Sequence, residues 1–392
     1  MKKVFHIRWV WFICSITFAL IFAIIIYNLL ISPYFRSPEK QHYVFLHKPF
    51  VFNPINIDAY YEATTIPKQK ILDLLSIDDI QMTSISYMLH YVQFWGCVEL
   101  LSDNQESHNF EKLILILLKN EKNPWFPKHE ELFYLSGDGI VRTARQDNSN
   151  PFSNLTHGTL GEAHPDQVLS TLGSIGIESD QVISFGSHEN YSVSDNGSLD
   201  TFRYSNEMEF SLMAFLYYLP PTKQWQNRWG DVFSFDSAAD YLLNDPLGYG
   251  TCSGIHRLIV FASMLRVNEN FLILSPETTK RIEEYLLRAS CILEQTQSPN
   301  GAWTYSWHDE TQSLEQNEKS FSDLHITGHH LEWIIICPKK CRPSEQSVVQ
   351  AILWCQNEVN KMSLSSVRRN ICEHMHVLKV LFQILNNPAF SG

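Results

Sequence analysis

Chemistry in this chain is concentrated in two short stretches that place metal-ligand side chains four residues apart. In DLHITGHHLEWIII, His325 and His329 have that spacing, and in YGTCSGIHRL so do Cys252 and His256. On an α-helix, positions i and i+4 share one face. Thiolate and imidazole are the groups that zinc and related divalent ions take up. Cys252, His256, His325 and His329 are therefore the candidate ligands for zinc or another divalent metal.

A second group suits proton transfer. His164 in GEAHP, His256 in CSGIHRL and His330 in GHHLEW stand at apparent helix starts, with Glu332 close behind. Helix N-termini favour negative charge, so imidazoles gathered there have depressed pKa values and stay neutral at physiological pH. His164, His256, His330 and Glu332 are the candidate catalytic residues. Glu162, Glu207, Glu209 and Asp323 neighbour the same starts, and Trp225, Trp229, Trp303, Trp307 and Trp333 could stack on sugar rings. Such a set would suit acid–base cleavage of a glycosidic bond. The plainer alternative has histidines bonding backbone carbonyls, carboxylates capping helices and tryptophans filling gaps between helices.

Helices must position these residues. Helical periodicity runs from Lys68 to Leu75, to about Leu101 after Asp78–Asp79, from Phe110 to Lys119 and from Glu207 to Leu219. It continues over Ser237–Leu243, Cys252–Arg266, Glu277–Gln295, Ile326–Cys337, Ser344–Met362 and Ser365–Asn386. Short loops between helices imply antiparallel neighbours. Residues 125–203 break the rhythm. There ELFYLSGDGIVRTAR carries a Gly-Asp-Gly turn between apolar flanks and reads as a hairpin.

Gln297, Gly301 and Trp303 form Q-x3-G-x-W directly after a helical pattern. Glycine allows a positive φ at the turn, and the glutamine amide can satisfy backbone groups left open at a helix end. The arrangement resembles the QW motif of the squalene/hopene cyclase and prenyltransferase superfamily. That resemblance implies an α/α toroid, with an inner and an outer ring of helices. It does not extend to the reaction, because neither D-x-D-D nor D-D-x-x-D occurs. Among the prenyltransferases' zinc ligands, Cys252 and His329 or His330 are the counterparts, while Gly250 stands where their Asp would be. GEAHP, YGTC-x-G-x-HRL and GHHLEW also resemble segments of membrane-anchored proteins of planctomycete-type bacteria, which implies no particular reaction.

Charge and hydropathy bound the remaining classes. The chain has 392 residues and a net charge of −12, and nothing in it resembles a P-loop, G-x-G-x-x-G or a serine nucleophile elbow. An acidic chain is a poor match for nucleic acid, whose phosphates need clustered Lys and Arg. No charged residue occurs in 9–35, and about 20 apolar residues span a bilayer. Lys2, Lys3 and Arg8 set the N-terminus on the cytoplasmic side. The expected organisation is a cytoplasmic 1–8, a transmembrane anchor at 9–35, a linker at 36–66 and a main domain at 67–390. That domain would face the periplasm or the exterior, where Cys337 and Cys341 could close a disulfide loop.

The fold class expected is all-α: an incomplete α/α toroid with a β/loop insertion at 125–203, preceded by one transmembrane helix. The function expected is that of a membrane-anchored envelope protein with a cyclase/prenyltransferase-like toroid and metal-dependent activity. A non-catalytic binding or scaffold protein and a carbohydrate-active enzyme are the alternatives. A small-molecule, glycan or protein ligand is left open.

Overall fold

The computed structural model describes residues 43–76, 85–101, 133–135, 141–143, 166–185, 189–192, 199, 202–205, 208–227, 229–250, 252–309 and 322–387, with a few isolated positions between 17 and 24. The expected anchor at 9–35, apart from those few positions, the Phe110–Lys119 helix and His164 lie outside them. Among the described residues no helix is long and apolar enough to cross a membrane.

The described chain is mostly helical, in agreement with the all-α expectation. Its helices are α1 (Asp58–Ala63), α2 (Lys68–Leu74), α3 (Ile85–Leu101), α4 (Gln167–Ser174), α5 (Glu209–Tyr218) and α6 (Phe235–Leu243). Then come α7 (Ile255–Phe271), α8 (Pro276–Thr296), α9 (Asp323–Ile336), α10 (Glu345–Lys361), α11 (Leu364–Arg369) and α12 (Ile371–Leu385). The single helix expected over Ser365–Asn386 is two, broken at Asn370, whose φ of −135° and ψ of 53° are not helical.

Among the described residues three antiparallel hairpins accompany the helices: β1 (Phe133–Leu135) with β2 (Val141–Thr143), β3 (Val182–Phe185) with β4 (Glu189–Ser192), and β5 (Gln224–Gln226) with β6 (Val232–Ser234). The first two fall in the expected insertion at 125–203. The third lies outside that insertion and was not expected.

Six helices pack so that their contacts close on themselves. α3 lies on α4, α4 on α5, α5 on α7, α7 on α9, α9 on α12, and α12 back on α3. Burial explains which helices these are. Every residue of α9 from His325 to Ile336 is buried, the polar side chains of His325, His329, His330 and Glu332 among them. By contrast α8, which packs on α6 and α7, buries one stripe through Thr278, Ile282, Leu286, Ala289 and Leu293.

Helix starts follow their caps. Ser275 before Pro276, Ser322 before Asp323 and Ser344 before Glu345 each accept a hydrogen bond from the backbone N–H three residues on, the usual N-cap arrangement.

Side-chain register gives the direction of the central helices. His90 meets His376 and Phe94 meets Phe382, so α3 and α12 run parallel. His325 meets His376 and Glu332 meets Lys379, so α9 and α12 do too. Phe210 near the start of α5 touches His256 near the start of α7.

At the opposite end the chain closes the helices off. Leu46 and Phe50 donate backbone N–H groups to the carbonyls of Tyr218 and Tyr217, at 2.7 and 2.8 Å, and Ile55 donates to Ile335 at 3.0 Å. These are carbonyls that a helix C-terminus leaves without intrahelical partners. Residues 43–66, expected as linker, are thus part of the packed body, and they bury Phe52, Ile57, Tyr60 and Ile66.

Candidate metal centre

The ring contacts bring five imidazoles and two thiols together near the N-terminal ends of α3, α7, α9 and α12. His325 and His329 come from α9, His376 and Cys372 from α12, His90 from α3, and His256 and Cys252 from the start of α7. His329 and His376 stack with ring centroids 3.5 Å apart and planes at 31°. The His325 ring lies 4.5 Å from His329 and 5.2 Å from His376. The close approach of α9 and α12 depends on Gly328, where a Cβ would come within 2.8 Å of the Val377 backbone nitrogen.

Among the described residues three ligand sets result here, each with its donor atoms within 4.8 Å of one another: Cys252, His256 and His329; His325, His329 and His376; and His90, Cys372 and His376. The four ligands expected from sequence are thus divided between two sets that share His329. His376 completes the all-imidazole set, although sequence reasoning did not single it out. Its signal was available, since Cys372 and His376 repeat the four-residue spacing of Cys252 and His256. A fourth set, His47, Glu178 and Asp180, lies exposed on the surface.

Hydrogen bonding fixes the tautomers. Nδ1 of His329 and Nδ1 of His376 lie 3.0 and 2.9 Å from the same Glu332 oxygen, Oε2. Nδ1 of His325 lies 3.2 Å from the carbonyl of Cys372. A carboxylate or carbonyl can only accept, so each Nδ1 carries the proton and each Nε2 keeps its lone pair. Metal-bound histidines are held in this way, with the second ring nitrogen donating to a carboxylate or backbone carbonyl.

Charges agree with that assignment. Burial pushes His329 down to about 4, helped by the neighbouring His376 and opposed by Glu332. Burial also lowers His376 and holds His325 well below the usual imidazole range. Burial alone would raise the Glu332 carboxyl. His376, Lys379 and the two imidazole hydrogen bonds outweigh it and hold Glu332 well below the usual carboxylate range. Lys379 Nζ sits 2.7 Å from Glu332 Oε1.

Not every expected catalytic residue joins this cluster. His330 faces the other side of α9, between Trp303 and Trp307, and its Nδ1 accepts from Trp333 Nε1 at 3.1 Å. Glu332 faces histidines rather than open space, so it orients ligands. His164 lies outside the described residues. Trp225, Trp303, Trp307 and Trp333 are fully buried, which removes them as sugar-stacking platforms and leaves the gap-filling role. Trp229, half-buried, packs against the Arg203 guanidinium.

Cys252 reaches the cluster through strained backbone. Cys252, Ser253 and Gly254 have φ values of 50°, 56° and 73°, and left-handed conformations cost roughly 1–2 kcal/mol for each non-glycine residue. The turn after α8 holds them there. Ser253 Oγ donates to the Tyr305 carbonyl at 2.8 Å, and Trp307 Nε1 donates to the Ser253 carbonyl at 3.1 Å.

Comparison with protein-family models, curated proteins and solved structures finds no match for this chain. What the centre can do follows from its own geometry.

Proposed function

We propose that this chain is a metal-dependent enzyme in which His325, His329 and His376 hold a divalent transition-metal ion, zinc foremost. The observation that carries this reading is Glu332, whose one oxygen accepts Nδ1–H from two of the three imidazoles. A buried carboxylate shared in that way is costly unless it organises something, and the nitrogens it organises are the two Nε2 lone pairs. Three neutral imidazoles leave a zinc ion with an open fourth position, as catalytic zinc sites do. An ion so placed makes bound water acidic and polarises a carbonyl or phosphoryl oxygen.

The closed cycle of six helices supports an α/α toroid, and the Gln297–Trp303 turn supports the same architecture. Gln297 Nε2 donates to the carbonyls of Gly301 and Ser347, both at 2.9 Å, and Trp303 Nε1 donates to Leu293 O at 3.0 Å. The uncharged stretch at 9–35 supports a single-pass anchor with its N-terminus in the cytoplasm, which would put the metal centre outside it.

The test is metal analysis of the purified full-length protein after zinc loading and desalting. One zinc per chain is expected, with a higher melting temperature than in chelator. The His325→Ala/His329→Ala/His376→Ala variant should retain none. A wild-type protein that takes up no zinc, cobalt(II) or other divalent ion and melts unchanged in chelator would overturn the reading.

A further inference from the structure

The three ligand sets cannot all be filled together. His329 and His376 each commit Nδ1 to Glu332, so each has one nitrogen, Nε2, to give. With Nδ1 so committed, the all-imidazole set must draw on both of those nitrogens. The Cys252 set uses only His329, and the Cys372 set uses only His376. An ion on His325, His329 and His376 therefore excludes the two cysteine-containing sets, whereas those two sets share no residue and can be filled at once.

We infer that the centre has a second, two-ion state, in which one soft monovalent cation of the copper(I) class sits on Cys252, His256 and His329 and another on His90, Cys372 and His376. This deepens the reading of the clustered imidazoles as metal ligands and rests on it. Each set offers one thiol and two imidazoles. Thiolate selects soft ions, copper(I) among them.

Charge suits the cysteine sets to a monovalent ion as well. A copper(I) ion with one thiolate is neutral overall, so burying it costs little. A divalent ion with the same ligands leaves an uncompensated positive charge, and unpaired buried charge is expensive. Distances permit all three arrangements. Ligands around a tetrahedral ion at ~2.0–2.3 Å stand about 3.3–3.6 Å apart, so donor atoms within 4.8 Å of one another close by at most about 1.5 Å.

Each copper(I) displaces the thiol proton of its cysteine, forms one Cu–S bond and releases one proton to solvent. No electron is transferred. The neutral imidazoles release no proton, so the two-ion state frees two protons per chain and the one-ion state frees none from the ligands.

Native mass spectrometry of the full-length protein in detergent tests this, with zinc(II) or anaerobically supplied copper(I) as the probe. Cys252→Ser and Cys372→Ser should each lower copper(I) uptake by one ion and the double variant by two, with zinc(II) uptake unchanged at one. Retained zinc also shows that the variants fold. His325→Ala should weaken zinc binding while both of these copper(I) ions remain. Copper(I) uptake in the double serine variant equal to wild type, beside normal zinc binding, overturns the two-ion state alone. Failure of wild type to bind either metal overturns the proposed function with it.

Discussion

Trp307 donates its indole N–H to the carbonyl of Ser253, 3.1 Å away across the junction between the turn after α8 and the entry to α7. Ser253 is the middle residue of the left-handed step that delivers Cys252 to His256 and His329. The two stretches most conspicuous in the sequence, one architectural and one chemical, are thus a single assembly. The aromatic turn holds in place a backbone conformation that would otherwise relax.

Trp307→Phe keeps an aromatic ring in the gap but removes the donor to a buried carbonyl. A loss of about 1–3 kcal/mol is expected from the unmet acceptor. The specific consequence is at Cys252, which becomes more open to alkylation when its turn loosens. Mass mapping of iodoacetamide labelling in native protein measures this, with Cys291, already exposed, as the internal reference. Unchanged labelling of Cys252 in a destabilised variant would show that Trp307 only fills space.

Glu332→Ala tests the shared carboxylate. Alanine removes the one oxygen, Oε2, that accepts from both His329 and His376, and it leaves Lys379 without its carboxylate. Loss of such an orienting partner typically costs 10–100-fold in metal affinity. Competition against a chromophoric chelator should show a weakening of that order for zinc, with the fold retained. Wild-type affinity in this variant would mean that the imidazoles do not depend on Glu332 for their tautomer.

The helices were readable because their periodicity is long and their caps conventional. Ser275-Pro276 and Ser344-Glu345 mark the starts of α8 and α10 by residue type alone. The i,i+4 rule also found His325, His329, Cys252 and His256, yet it said nothing about which helices would be neighbours. His376 and His90 belong to the centre only because α12 packs between α9 and α3, a relation set by tertiary contacts 44 or more residues apart in the chain. His330 shows the converse. One residue beyond His329, it is turned by the helical twist onto the face that meets Trp303 and Trp307. Asn370 ends α11 through its backbone angles, without a proline or glycine to mark the break.

The boundary of the folded body gives a truncation prediction. Residues 43–57 supply backbone donors to Tyr217, Tyr218 and Ile335 and accept from Arg342, whose Nη2 reaches the Ile55 carbonyl at 2.6 Å. A fragment beginning at residue 43 should fold and bind zinc like the full chain. One beginning at 67 loses those bonds and the burial of Phe52, Ile57 and Tyr60, each such side chain contributing about 1.5–3 kcal/mol. It should melt far lower or fail to fold. Equal melting temperatures for the two fragments would return residues 43–66 to the role of a linker.

The depressed imidazoles also set the acid response of the metal-free protein. His329 titrates at about 4 when folded, against an ordinary 6.5. Between those values the unfolded chain binds a proton that the folded chain refuses, so stability falls as the pH drops through that window. Above 6.5 both states are neutral and the effect vanishes. One such imidazole contributes a slope of about 1.4 kcal/mol per pH unit. His325, His330 and His376 are shifted in the same direction, so the observed slope should exceed that of a single group. Below its ordinary 4.5 Glu332 adds loss of the same sign, because its folded pKa is held low. Urea unfolding of metal-free protein between pH 7.5 and 4.5 measures the slope, and His329→Gln should flatten it by about one proton. An identical slope in that variant would mean that His329 is protonated in the folded state, in conflict with the donor role its geometry assigns to Nδ1 alone.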